Sequence, residues 1–166
     1  MKNTRKLYPK KYIPSYLSHK NAKTIKNEID KSQRLYKKGK YHIRTTVKST
    51  KNKPSKHVKN AKKIYKMKTI KIGKELSQKT GCSLSALHKI MKKGQGAYFT
   101  GSRPNQTPHS WGIARLSSAI TGGKSAAVDY KILESGCKPT SLALKLAKKA
   151  VKKHKRGTRK VPKRKI

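Results

Sequence analysis

The sequence predicts a mainly α-helical protein: a small helical domain with a glycine-rich turn region, carrying basic N- and C-terminal arms that are extended or disordered. Three observations predict it. Apolar residues recur at helical spacing along much of the chain, Ser or Thr precedes several of these runs with Gly after them, and 46 Lys plus Arg face only 5 Asp plus Glu in 166 residues. Residues 94–137 hold four cations and two anions, so the other 122 residues carry net +39 of the +41 total. A near-neutral centre between basic flanks follows.

Residues 1–18 set Pro9 and Pro14 among tyrosines and lysines, which disfavours regular structure and predicts an extended arm. Residues 19–73 read as a basic helical region. Ile25, Ile29 and Tyr36 share one helical face over residues 19–38, and Gly39 is placed to stop that helix. Tyr41, Ile43, Thr45 and Val47 then alternate with polar residues, predicting a short strand without an evident partner. After Pro54, Val58, Ala61 and Tyr65 return at helical spacing.

Residues 74–137 form the expected compact domain. A helix over 75–79 leads into Thr80-Gly81-Cys82, and Ser83 caps a second helix carrying Leu84, Leu87, Ile90 and Met91, closed by Gly94. Gly94, Gly96 and Gly101 permit tight turns, and Thr107-Pro108 is a cap and first-turn pair opening the next helix. On that helix Trp111, Ala114 and Ser118 share one side and Ile113, Leu116 and Ile120 another, implying burial on two faces. Thr121-Gly122-Gly123 ends it, and a brief helix over 128–134 precedes Gly136. In residues 138–156, Ser141 caps an amphipathic helix with Leu142, Leu146, Ala147, Ala150 and Val151 on its apolar stripe. Residues 157–166 have almost nothing to bury and read as a basic tail, disordered until it meets a polyanion.

A chain of this charge repels itself, so it works against a polyanion that neutralises it, and nucleic acid is the expected one. Neither a broad apolar helical face nor a lipid anchor accompanies the cations, which argues against a membrane surface. No apolar run approaches the roughly 20 residues of a bilayer span. The expected phosphate contacts are Lys10, Lys11, Lys37, Lys38, Lys40, Lys62, Lys63, Lys89, Lys92, Lys93, Lys152, Lys153, Lys155, Arg156, Arg159, Lys160, Lys163, Arg164 and Lys165. With 38 Lys against 8 Arg, point charges dominate over the planar forks that read guanine edges, so sequence-independent binding is expected. Residues 152–156 with 159–165 also have the form of a bipartite nuclear import signal, although electrostatic binding explains the same residues. Tyrosines interleaved with lysines (Tyr8, Tyr12, Tyr16, Tyr36, Tyr41, Tyr65) can stack on bases or pack a small core, and core packing is favoured.

Other chemistries have little support. Five carboxylates, Glu28, Asp30, Glu75, Asp129 and Glu134, are too few and too dispersed for a two-metal nuclease. Cys82 and Cys137 stand 55 apart without a CxxC, so buried free thiols in a reducing compartment are expected rather than a zinc site. His109 is the best-placed histidine for catalysis, yet a structural role is the commoner fate of such a residue. Thr121-Gly122-Gly123-Lys124-Ser125 has the end of a phosphate-binding loop without its first glycine, so nucleotide hydrolysis is not expected. No cofactor, metal or small-molecule ligand is implied. Residues 74–90 have helix-turn-helix spacing, with Leu76 and Leu87 sealing the angle and Ser83, Ser85, Ala86, His88 and Lys89 outward; plain helix packing is the favoured reading over base reading.

The central run is Lys93-Gly94-Gln95-Gly96-Ala97-Tyr98, Gly101-Ser102-Arg103-Pro104-Asn105-Gln106-Thr107, Ser110-Trp111-Gly112, Ala114-Arg115-Leu116, Thr121-Gly122-Gly123-Lys124 and Val128-Asp129-Tyr130. It resembles the signature of an uncharacterised basic domain family of giant viruses (nucleocytoplasmic large DNA viruses) and some tailed phages, with Phe99-Thr100 departing from a more serine-rich turn. The resemblance implies a viral origin and supplies no catalytic residues. Within the run, Arg103 and Arg115 are expected to tie turn carbonyls or the carboxylates of Asp129 and Glu134 to the helices. The combined expectation is a non-enzymatic viral protein that binds DNA, with RNA a possible substitute. It would condense or package the genome within the virion, or act in the host cytoplasm at the virus factory or in the nucleus. The competing expectations are a capsid or core protein bound to acidic partners and a site-specific regulator.

Overall fold

The computed structural model describes residues 6–50, 52–155 and 161–166. In chain order its elements are β1 (Tyr8–Pro9), α1 (His19–Lys37), α2 (Lys56–Ile64), α3 (Lys74–Thr80), α4 (Leu84–Thr100), α5 (Pro108–Ile120), α6 (Lys124–Val128), α7 (Tyr130–Gly136), α8 (Leu142–His154) and β2 (Lys163–Arg164). The mainly helical class is the one the sequence predicts. No described helix is long and apolar enough to cross a membrane. The chain forms two compact units, one from residues 1–53, 96–108 and 159–166, the other from residues 54–95 and 109–158.

In the first unit α1 begins where Ser18 accepts a hydrogen bond from the Asn21 amide, and it buries Ala22, Ile25, Ile29 and Ser32 along one face. The described part of the N-terminal arm, residues 6–18, carries turns. Its prolines make turns, with the Tyr12 amide bonded to the Pro9 carbonyl and the Leu17 amide to that of Pro14. Those turns direct Tyr8, Ile13 and Leu17 into a core shared with Ala22, Ile25, Ile29 and Val47. At the described end of the tail, Tyr8 pairs with Arg164 and Pro9 with Lys163, antiparallel. An extended segment near a bare backbone edge gains ladder hydrogen bonds that an isolated tail lacks.

The strand expected at Tyr41 to Val47 is absent from the described residues, because side chains occupy its backbone donors. The amide of Arg44 donates to the Tyr98 hydroxyl at 3.0 Å, that of Thr45 to Glu28 Oε2 at 3.1 Å and that of Val47 to Asn105 Oδ1 at 2.7 Å. A backbone satisfied this way has no need of a neighbouring strand.

The second unit holds a larger core built around Leu76, Leu87, Ile90, Leu116, Ile120 and Leu133. Ser55 caps α2, Ser83 caps α4 and Ser141 caps α8, each hydroxyl accepting an amide hydrogen bond three residues on. α8 packs against α6 and α7 through Ala143, Leu144, Ala147 and Ala150.

Two local expectations are overturned. α4 does not close at Gly94 but runs to Thr100, and the brief helix over 128–134 is two helices that meet at Asp129. Gly94 serves close approach: a Cβ there would lie 2.8 Å from Gly112 Cα and 3.1 Å from the Trp111 carbonyl oxygen. Its helix cost, about 1 kcal/mol relative to Ala, is what lets α4 and α5 touch backbone to backbone. Gly101, at φ +148°, is the glycine that follows the helix end. The cysteines are not free thiols. Cys82 and Cys137 form a disulfide, flanked by backbone bonds from the Ser83 amide to the Gly136 carbonyl (2.7 Å) and from the Lys138 amide to the Gly81 carbonyl (2.8 Å). Spacing along the chain could not show this, because the two residues meet only through the return of α7 to the turn before α4.

Candidate nucleic-acid interface

Folding redistributes the charge that looks so uneven along the sequence. The first unit has 23 cations and two acids, net +21; the second has 23 cations and three acids, net +20. The near-neutral centre is therefore split between the two, and neither unit is a neutral scaffold. Lys10, Lys11, Lys37, Lys38, Lys40, Lys163 and Lys165 are exposed in the first unit, and Lys62, Lys63, Lys89, Lys92, Lys152, Lys153 and Lys155 in the second. The β1–β2 ladder sets Lys163 opposite Pro9, beside Lys10, so cations from the two ends of the chain share one edge. On α8, Lys145, Lys148, Lys149, Lys152 and Lys153 make an exposed stripe opposite the buried alanines.

Three of the expected contacts differ in environment. Arg164 is half-buried within the ladder, with its Nε enclosed. Lys11 lies over the Tyr12 ring at 5.3 Å from the centroid. Lys93 is committed to Asp129, its Nζ 2.7 Å from Oδ1. Arg156, Arg159 and Lys160 lie outside the described residues, as does part of the segment with import-signal form.

The signature residues divide into two polar anchors. In the second unit the Asp129 side chain is fully buried and receives Arg115 in a fork, Nε to Oδ2 and Nη2 to Oδ1 at 2.8 Å each, together with Lys93. Burial pushes its pKa upward, but the hydrogen bonds and charges of Arg115 and Lys93 prevail and hold the carboxyl below its usual range. Arg103 takes no part in that cluster; it is exposed in the first unit. Glu134 instead faces the Tyr130 hydroxyl at 3.4 Å. The amides of Gly123 and Ser125 are turned to the Ser118 carbonyl and hydroxyl, so the Thr121 to Ser125 loop spends these donors within the fold.

The first unit has the anchor that sequence reading missed. Arg44 lies over the Tyr98 ring with its guanidinium carbon 4.0 Å from the centroid, and it donates to the hydroxyls of Ser32 and Ser102. Tyr98 and Ser102 are buried. Asn105 clamps the 47–50 turn, its Nδ2 donating to the carbonyls of Val47 and Thr50. Glu28 accepts from His42 Nε2 at 3.0 Å and from the Thr45 amide. Burial opposes ionisation of Glu28, yet these bonds keep its pKa lowered. Around them Ile25, Arg103, Pro104 and Gln106 line a cleft with room for little more than a water molecule. The available signal was slight: Arg44 is an arginine in a chain whose cations are mostly lysine, standing where a fork and a ring face are needed.

The helix pair is present. Gly81 makes the turn between α3 and α4 at φ +72°, and Leu76 and Leu87 are both fully buried. Ser83, Ser85, His88 and Lys89 are exposed, but Ala86 is buried, against Gly136. Among the described residues no group of three or more His, Cys, Asp or Glu gathers to hold a metal ion. His109 is exposed.

The geometry defines a small, helical, polycationic protein whose polar anchors hold its own fold and most of whose described lysines are exposed. The chain belongs to the family of unknown function DUF5824, which it matches over residues 9–133. No curated protein and no solved structure matches it.

Proposed function

We propose that this protein binds the phosphate backbone of nucleic acid, DNA foremost, without reading base sequence, and that it condenses or packages the genome of a large DNA virus as a virion or core component. The observation that carries the proposal is the mismatch between cations and acids. Five carboxylates serve 46 cations, and Glu28, Asp30 and Asp129 are each engaged within the fold. The exposed lysines on both units thus lack acidic partners in number, and phosphates supply them. The viral setting rests on the likeness of the central signature to giant-virus and phage proteins.

Titration of duplex DNA at several salt concentrations tests this. If about ten cations meet phosphates, log affinity falls against log salt with a slope near −9; a slope shallower than about −3 rejects backbone-dominated binding. Binding to capsid protein with no binding to DNA would favour the acidic-partner reading. A site-specific regulator has one observation in its favour, the formed α3–α4 pair with Ser85 and Lys89 exposed. Against it, the start of α4 is tied to residues 136–138 by the disulfide and its flanking hydrogen bonds.

A further inference from the structure

We propose that Tyr41 is a stacking site for an unpaired base, with Lys37, Lys38 and Lys40 taking the neighbouring phosphates, so that the protein grips single-stranded nucleic acid more tightly than duplex. The inference rests on the backbone-binding reading above and adds a base-face contact to it. The tyrosines of the chain fall into different environments. Tyr8, Tyr65, Tyr98 and Tyr130 are buried, whereas Tyr41 is 72% exposed.

Its ring is nonetheless held in place. The Tyr41 centroid lies 5.1 Å from that of Phe99 and 6.2 Å from that of Tyr36, and those two rings are stacked on each other at 5.4 Å with 19° between their planes. Phe99 is 7% exposed, and its carbonyl accepts from the buried Ser32 hydroxyl, so the support under Tyr41 is fixed to α1. The ring leans on this aromatic pair, tilted 48° to Tyr36 and 50° to Phe99, while Tyr41 as a whole stays largely in solvent. Ile43, two residues on, is also exposed, at 55%.

The cations beside it are positioned by the end of α1. The amides of Lys38 and Lys40 both bond to the Leu35 carbonyl and that of Gly39 to the Tyr36 carbonyl, with Gly39 at φ +70°. That turn places Lys37, Lys38 and Lys40 within four residues of Tyr41, all exposed and none in an ion pair among the described residues. Glu28, the acid bonded to the neighbouring His42, is occupied by that histidine and the Thr45 amide. A backed aromatic face beside free cations is the arrangement that binds single strands, because every unpaired base offers a π-face while duplex bases are already stacked. Phosphate attraction alone would use the lysines and leave the ring idle.

The full chain and its Tyr41→Ala and Tyr41→Phe variants can be titrated with oligo(dT) and with a duplex of equal phosphate number at fixed salt. Tyr41→Ala is expected to lose about 5- to 150-fold on oligo(dT), the range of one base stack, with the duplex affinity and salt slope unchanged. Tyr41→Phe, which keeps the ring, should bind and unfold as the parent does, and Tyr41→Ala should keep the parent's far-UV circular dichroism at the assay temperature even where loss of its ring contacts lowers the midpoint. Equal affinities of Tyr41→Ala and parent for oligo(dT), or equal losses on both nucleic acids, overturn the stacking site while leaving backbone binding intact. A parent chain that binds neither nucleic acid overturns the backbone reading itself.

Discussion

Reducing the Cys82–Cys137 disulfide should destabilise the second unit by an amount set mainly by chain topology. The bond closes a loop with a sequence separation of 55. Loop-closure entropy for that length corresponds to about 4 kcal/mol of added stability, acting through the unfolded chain, which reduction allows to expand. The native side should change little, because the Ser83 to Gly136 and Lys138 to Gly81 backbone hydrogen bonds do not depend on the sulfurs. Buried thiols at the same positions would also remain compatible with the apolar surroundings of Leu87 and Leu133. Urea unfolding followed by far-UV circular dichroism, with and without dithiothreitol, and repeated on a Cys82→Ser/Cys137→Ser variant, measures the difference. A loss of about 2–4 kcal/mol is expected, with folded-state spectra unchanged. A loss below about 1 kcal/mol would refute the topological argument. Collapse of the helical signal in reductant before any urea is added would refute the claim that the hydrogen bonds hold the folded state.

Two further outcomes follow from the anchors. Gly94→Ala places a methyl 2.8 Å from the Gly112 Cα, and overpacking of about 1–3 kcal/mol should outweigh a helix-propensity gain of about 1 kcal/mol, lowering the urea midpoint; a raised midpoint would show that α4 and α5 part easily. Glu28, Asp30 and Asp129 all have lowered pKa values because hydrogen bonds and cations outweigh the cost of their burial. Groups depressed in the folded state add stability above the unfolded carboxylate range, near pH 4, and lose it as pH falls through their folded values. Stability should hold from pH 7 to about 5 and drop steeply below about 4, and a flat profile down to pH 2 would contradict the ion-pair geometry.

Much of the helical architecture was legible because it is local. Ser83 and Ser141 cap the helices they precede, Ile25 and Ile29 mark the buried face of α1, and Thr107-Pro108 stands at the start of α5, whereas the caps at Ser18 and Ser55 came from the structure. Each signal lies within one or two turns of the structure it specifies, where hydrogen-bond satisfaction and apolar periodicity act without help from distant residues. Among the described residues the lysines expected to be available are exposed; Lys93 is exposed too but is paired, since only folding brings it to Asp129, 36 residues away.

Polyelectrolyte character, the helical class and most helix starts were set by the order of residues alone, since charge is additive and caps act over a few bonds. Tertiary structure alone decided that Gly94 would be a contact and not a stop, that Cys82 would find Cys137, that the ends of the chain would pair, and that Arg44 would leave a would-be strand to lie on Tyr98. Each depends on a partner brought near by the fold of everything between, and the energy of such a contact is not present in any short stretch of chain.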